Sequence, residues 1–105
     1  MTHYLLTYEK APDYAQREPP FQAAHRAHVR AALSRGELIL GGPLLEPTDG
    51  TNVVLFQTDS AATVEAFAKA DPYVQNGIVA RWTVRPWQTV VGKTAACPHP
   101  DFKLD

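Results

Sequence analysis

The sequence predicts an α+β domain of the split-βαβ, ferredoxin-like kind: a four-stranded antiparallel sheet carrying two helices on one face. Three observations predict it. The 105 residues are the length of a single domain. Four runs rich in β-branched and aromatic residues are interrupted by two stretches of helical period, in the order β-α-β-β-α-β. No internal repeat, low-complexity tract or linker divides the chain.

The elements follow in order. Residues 2–9, THYLLTYE, alternate apolar or aromatic with polar side chains and read as the first strand. KAPDYAQREPP then holds three prolines and reads as a loop, with Pro19 and Pro20 suited to the first turn of the coming helix. From Phe21, the apolar or small positions Ala24, His25, His28, Val29, Ala32 and Leu33 recur at helical spacing, a helix with one buried face, and Gln22, Arg26 and Arg30 fall outside it. Gly36 is a natural left-handed stop. ELILGGP (37–43) is a short strand closed by glycines and proline, and LLEPTDG (44–50) ends on an Asp-Gly turn. TNVVLFQT (51–58) is the next strand, so the two form an antiparallel hairpin with a longish loop.

DSAATVEAFAKAD (59–71) is the second helix, with Ser60 as N-cap and Val64, Phe67 and Ala68 as its buried stripe. DPYVQNG breaks it, and IVARWTVRPWQTVV (78–91) is the last strand, Ile78, Ala80, Trp82 and Val84 alternating with Val79, Arg81, Thr83 and Arg85. The domain is therefore placed at residues 1–91, and residues 92–105 are expected to form an extended C-terminal tail. Both helices occupy one sheet face, so the other needs a second copy to cover any apolar surface. A homodimer packed sheet to sheet is the expectation.

Composition narrows the function. The chain is 45% hydrophobic and 20% charged, with a formal net charge of −1 and its Lys and Arg scattered, so no nucleic-acid partner is expected. A single cysteine, Cys97, allows no internal disulfide and fits a reducing, cytoplasmic setting. No signal-like segment and no run long enough to span a membrane is visible. There is no phosphate loop, nucleotide fingerprint or nucleophile elbow, so chemistry would proceed without a cofactor or with one recognised only by shape.

Histidine can both take and give a proton near neutrality. His25 and His28, three apart on the apolar stripe, share one helix face. Each is either a reactive group or a half-buried packing histidine, and no third ligand argues for a metal. Asp71 ends the second helix, where the macrodipole disfavours a carboxylate. It either caps a new turn begun by Pro72 or has a cationic or imidazole partner. Gly42 and Pro43 are either turn chemistry or the bare wall of a pocket. Tyr73, Arg81, Arg85 and Trp87 are further pocket candidates. Cys97 lacks basic neighbours that would activate it.

Taken in order, AHRAHVRAALSRGELILGGP (24–43), SAATVEAFAKADPYVQNGIV (60–79) and VRPW (84–87) resemble the YCII-related (YciI-like) family. The matching positions are His25, Gly36 eleven residues on, Gly42-Pro43, Asp71-Pro72-Tyr73, Gly77 and Pro86-Trp87. The resemblance implies the ferredoxin-like fold of the dimeric α+β barrel group and a histidine–aspartate centre in a cleft. It also implies, in some relatives, lyase or dehydrochlorinase chemistry on ring compounds. It selects His25 and Asp71 as the catalytic pair; His28, Gly42, Pro43 and Tyr73 are expected around a small-molecule substrate, and no metal is expected. The expected function is a cofactor-independent isomerase or lyase using general acid/base chemistry. The alternative is a non-catalytic dimeric domain that binds a small metabolite or serves a larger complex.

Overall fold

The computed structural model describes residues 2–102. Strand β1 (Thr2–Lys10) is followed by a short helix α1 (Tyr14–Arg17), a 3₁₀ turn at Pro19–Phe21 and helix α2 (Gln22–Ser34). Then come β2 (Leu38–Pro43), β3 (Thr51–Thr58), α3 (Ala61–Ala70), the single-turn helix α4 (Pro72–Gln75) and β4 (Val79–Trp87). The four strands form one antiparallel sheet in the order β2-β3-β1-β4, which is the predicted split-βαβ topology.

Alternation along β1 sorts the sheet into two faces. Tyr4, Leu6 and Tyr8 point to the helices and pack with Phe56 of β3, Leu38 of β2, Ala32 of α2, and Val64, Phe67 and Ala68 of α3. Leu6, Phe56 and Val64 are completely buried, and the Phe56 and Phe67 rings meet edge to face at 5.0 Å. Opposite, Leu5, Thr7, Val53 and Leu55 form a half-buried row on the face that no helix covers. Ser60 caps α3 by accepting the Ala62 N–H, and Gly36 turns the chain after α2 at a φ of +76°.

Several local expectations are corrected. The proline-rich loop contains α1, whose Arg17 guanidinium donates to the carbonyls of Asn76 (2.6 Å) and Gly77 (3.1 Å) and so closes the C-terminal end of α4. Pro19 and Pro20 consequently lie in the 3₁₀ turn, and α2 starts at Gln22. In β4 the pairing slips between Glu9 and Lys10, so that Lys10 faces Val79 and Ala80 is the extra residue. The bulge turns Val79 inward, where it is buried beside Ile78, and leaves Ala80 exposed. On α2 only Ala32 is buried, while Ala24 is exposed and Leu33 is 48% exposed. The apolar stripe of α2 faces a cavity more than a packed core.

The tail is not simply extended. Beyond Trp87 the chain turns at Gly92 and returns, so that the Cys97 and His99 N–H groups donate to the carbonyls of Thr89 and Val90, both at 3.0 Å. This hairpin-like return lies over His3, which alternation places on the open face but which is only 2% exposed. His3 Nδ1 is 2.6 Å from Thr89 Oγ1, and its Nε2 is 3.0 Å from Gln57 Oε1. An amide oxygen cannot donate, so Nε2 donates its hydrogen to Gln57 Oε1, and in the neutral imidazole Nδ1 accepts from the Thr89 hydroxyl. Thr89 Oγ1 in turn accepts the Ala96 N–H at 2.7 Å.

Removing this imidazole leaves the Thr89 hydroxyl and the Gln57 carbonyl short of a partner, a loss of about 1–3 kcal/mol. His3→Ala is therefore expected to speed amide hydrogen exchange at Ala96 and Cys97 while the β1 and β3 core amides stay protected. Unchanged exchange at Ala96 would show that His3 does not hold the return segment.

Candidate active site

Asp71 stands where α3 ends and α4 begins. Pro72 supplies the fixed φ of a first helical residue, and the extended backbone of Asp71 (φ −69°, ψ 124°) points its side chain back over the new turn. Oδ1 accepts the Tyr73 N–H at 2.9 Å, the N-cap contact that the Asp-Pro pair predicts. The same oxygen lies 2.8 Å from His25 Nδ1, and Oδ2 accepts the Tyr8 hydroxyl at 2.8 Å. Both sequence explanations of Asp71 thus hold together: it caps a turn and has an imidazole partner.

The carboxylate is wholly buried. Burial alone would raise its pKa, but the hydrogen bonds from His25, from the Tyr73 N–H and from Tyr8, with the charge of His25, outweigh it and hold the carboxyl below its ordinary value of 3.8. Burial, followed by the Asp71 charge, pushes the Tyr8 phenol far above its usual range, so that Tyr8 acts there only as a donor. An ionised carboxylate has no proton to give, so the hydrogen of this contact is on His25 Nδ1, and in the neutral imidazole the lone pair is on Nε2. The His25 ring also stacks on Tyr73, with centroids 3.9 Å apart and planes within 6°. Two contacts from one short turn therefore set both the tautomer and the tilt of this imidazole.

His25 opens onto a cavity of about 430 Å³ between α2, β2 and the inner face of the sheet. Val29, Leu33, Leu38, Leu40, Val54 and Phe67 make its apolar walls, while Tyr8, Lys10, His25, Asn52 and Tyr73 make its polar end. Gly41 and Gly42 complete the β2 side. A Cβ at Gly41 would come within 3.1 Å of the Val53 carbonyl oxygen, so any side chain there would press on β3. A Cβ at Gly42 would meet nothing within 4 Å, so its bareness leaves room in the cavity mouth.

The other candidates separate. Tyr73 and Gly42 line the cavity; His28 and Pro43 do not. His28 donates from Nε2 to the Phe67 carbonyl at 2.7 Å and stacks on the Phe67 ring at 4.4 Å. The Asp71 N–H bonds to Ala68, leaving the Phe67 carbonyl as one of the open acceptors at the end of α3, and His28 fills it from the neighbouring helix. Pro43 lies one residue beyond Gly42 and is exposed. Arg81 pairs with Glu9 at 2.5 Å, and Arg85 and Trp87 border a small depression with Leu5 on the opposite sheet face. Sequence reasoning missed Tyr8, Lys10 and Asn52. The signal for the first two was present: Tyr4, Leu6, Tyr8 and Lys10 form one inward row, and its last two members carry polar ends. Among the described residues, no group of three or more His, Cys, Asp or Glu could hold a metal ion. No helix among them is long and apolar enough to cross a membrane.

Fold and site together define a ferredoxin-like domain with a buried histidine–aspartate contact at the edge of an apolar cavity. The profile of the YCII-related domain matches residues 1–88, and the chain belongs to that family. Its structure is similar to that of 5-chloro-2-hydroxyhydroquinone dehydrochlorinase from Burkholderia phenoliruptrix, solved in complex with 2,5-dihydroxybenzoquinone. The TM-score is 0.70 and the sequence identity 21%, over 83% of this chain and 94% of the other. No curated protein sequence matches the chain.

Because the Asp71 carboxyl titrates lower in the folded than in the unfolded chain, its stabilising contribution is complete above the ordinary value of 3.8 and is lost as pH falls through the folded value. Asp71→Asn breaks a buried network and is expected to lower stability at neutral pH on the order of 3–5 kcal/mol. In urea titrations the gap between wild type and variant should narrow on acidification below 3.8. A gap that does not change with pH would contradict this.

Proposed function

We propose that the cavity is the active site of a cofactor-independent lyase or isomerase acting on a small ring compound. In this reading His25 is the general base and acid. Nε2 accepts a proton from a carbon next to a carbonyl or hydroxyl group, and Asp71 stabilises the imidazolium that forms while holding the ring in place. Tyr8 is a positioning residue acting through Asp71. Gly42 and Tyr73 border the substrate, whereas His28 supports the site through the end of α3.

The observation that carries the proposal is the Asp71 carboxylate, buried and hydrogen-bonded through both oxygens. Its three donors leave His25 in a single tautomer, with Nε2 without a protein partner among the described residues and the ring on the cavity wall. Elimination or isomerisation fits better than hydrolysis, since no serine, threonine, cysteine or carboxylate lines the cavity. The dehydrochlorinase relative, with its quinone ligand, suggests the reaction to try first. Chloride release from 5-chloro-2-hydroxyhydroquinone above the buffer rate is the expected outcome. A positioned proton-transfer group is typically worth about 10²–10⁴-fold, so His25→Ala should slow turnover by that range. Loss of the charge-assisted bond in Tyr8→Phe should slow it roughly tenfold. Turnover unaffected by His25→Ala would rule out the mechanism.

The working form in this proposal is a homodimer of residues 1–91 packed through the open sheet face, with residues 92–105 as an extension. The uncovered row of Leu5, Val53 and Leu55 supports it. The single exposed Cys97 fits a cytoplasmic setting. Sedimentation at micromolar concentration should give a dimer, and a strictly monomeric species would refute this part.

A further inference from the structure

We propose that Lys10 is the anion-binding group of the cavity, and that the substrate is a planar ring compound that ionises at oxygen, a phenol or an enolisable ring ketone. This deepens the proposed function and rests on it for the role of His25.

Lys10 ends the inward row of β1, where an apolar residue would ordinarily continue the core. Charged residues turned inward commonly guard the edges of sheets, but β1 is a central strand paired on both sides, so that explanation does not apply here. The strand end is held firmly: the Lys10 N–H donates to the Gly50 carbonyl at 3.0 Å. Gly50, at a φ of +86°, approaches so closely that a Cβ would lie 3.2 Å from Lys10 Cβ. The side chain is only 18% exposed. Its Nζ lies 4.8 Å from the centre of the Tyr14 ring and 5.6 Å from that of Tyr73, the ring on which His25 stacks.

A purely structural role would be an ion pair tying the α1 segment to the sheet, and Lys10 does donate to Glu18 at 3.3 Å. That contact is longer than the 2.7–2.9 Å of a strong charge-assisted bond and uses one of three ammonium hydrogens. Glu18 does not line the cavity, and neither does Asp71. The lining itself presents one cation and no carboxylate, Glu18 standing behind it against Lys10 and the Tyr73 hydroxyl, with Asn52 on the strand residue opposite Tyr8. Such a wall favours an anion, and it does so at the same end of the cavity as His25.

The chemistry closes. In a ring ketone, or in the keto tautomer of a phenol, His25 Nε2 takes the proton from the carbon next to the carbonyl, the C–H electron pair delocalises onto the carbonyl oxygen, and the oxyanion is stabilised against Lys10 Nζ. On collapse the imidazolium returns its proton to another carbon, giving an isomer. In a halogenated substrate the electron pair instead expels halide, and the proton goes to solvent. Neither route needs an oxidant or a reductant.

Titration with 4-nitrophenolate and with its neutral ether 4-nitroanisole tests the assignment, binding being followed by the His25 ring resonances. One charge-assisted contact corresponds to about tenfold in affinity, so wild type should prefer the phenolate by at least that factor. Lys10→Gln, whose amide can still donate to Glu18, should abolish the preference and leave ether binding unchanged, while Lys10→Arg should keep it. Glu18→Gln removes the competing carboxylate and should tighten phenolate binding only, an independent check should Lys10→Gln fold poorly. A preference that survives Lys10→Gln, or phenolate binding not strengthened by Glu18→Gln, overturns the role of Lys10 while leaving the cavity as a binding site. If neither compound shifts the His25 ring, the cavity reading itself falls, and this inference with it.

Discussion

A carboxylate removed from water is the constraint around which the domain is arranged. Stripped of solvent and left alone, the Asp71 anion would be prohibitively unfavourable, so the fold must deliver donors to both of its oxygens. It draws them from three places: the Tyr8 phenol from the central strand, the His25 imidazole from α2, and the Tyr73 N–H from the turn after α3. Each comes from a different element, so the contact can form only when sheet, first helix and second helix pair are all docked. Packing of the Phe56–Phe67 core brings these elements together, and the carboxylate fixes their register.

Satisfying that carboxylate also produces a reactive edge. Asp71 engages the near nitrogen of His25, which leaves the far nitrogen uncommitted on a ring that lines the cavity. The apolar stripe of α2 serves this region as much as the core: Ala32 is buried, whereas Val29 and Leu33 line the cavity. Histidines on such a stripe are then reasonable. One stands at the cavity with a carboxylate behind it, and the other closes an open carbonyl of the neighbouring helix.

Much of this was legible in the residues. Period-two and helical spacing located all four strands and both main helices. Ser60 and Gly36 marked helix ends, and Asp71-Pro72 announced a capped turn. What the pattern could not carry was partnership. The same spacing that placed His25 and His28 on one face could not say which would meet Asp71, because that depends on the docking of two helices far apart in sequence. The β4 bulge depends on Lys10 pairing with Val79, an arrangement between strands with no local mark in either. Helix α1 is too short to show a period and owes its place to Arg17 reaching the carbonyls after α4. Tyr8 read as an aromatic core residue, which it is, but its hydroxyl became meaningful only once Asp71 was found beneath it.

The two imidazoles of α2 have a mechanical consequence. His28 grips the last turn of α3 and His25 grips the next residue after it, so one helix is bolted to the other at two points three residues apart. Helix α2 cannot roll about its axis without breaking both bolts. The opposite boundary of the cavity is an edge strand with an irregular register, two adjacent glycines and an exposed Leu40. The pocket thus has one stiff wall and one compliant wall. The stiff wall holds the reacting nitrogen still, and adjustment to ligands of different width falls to β2.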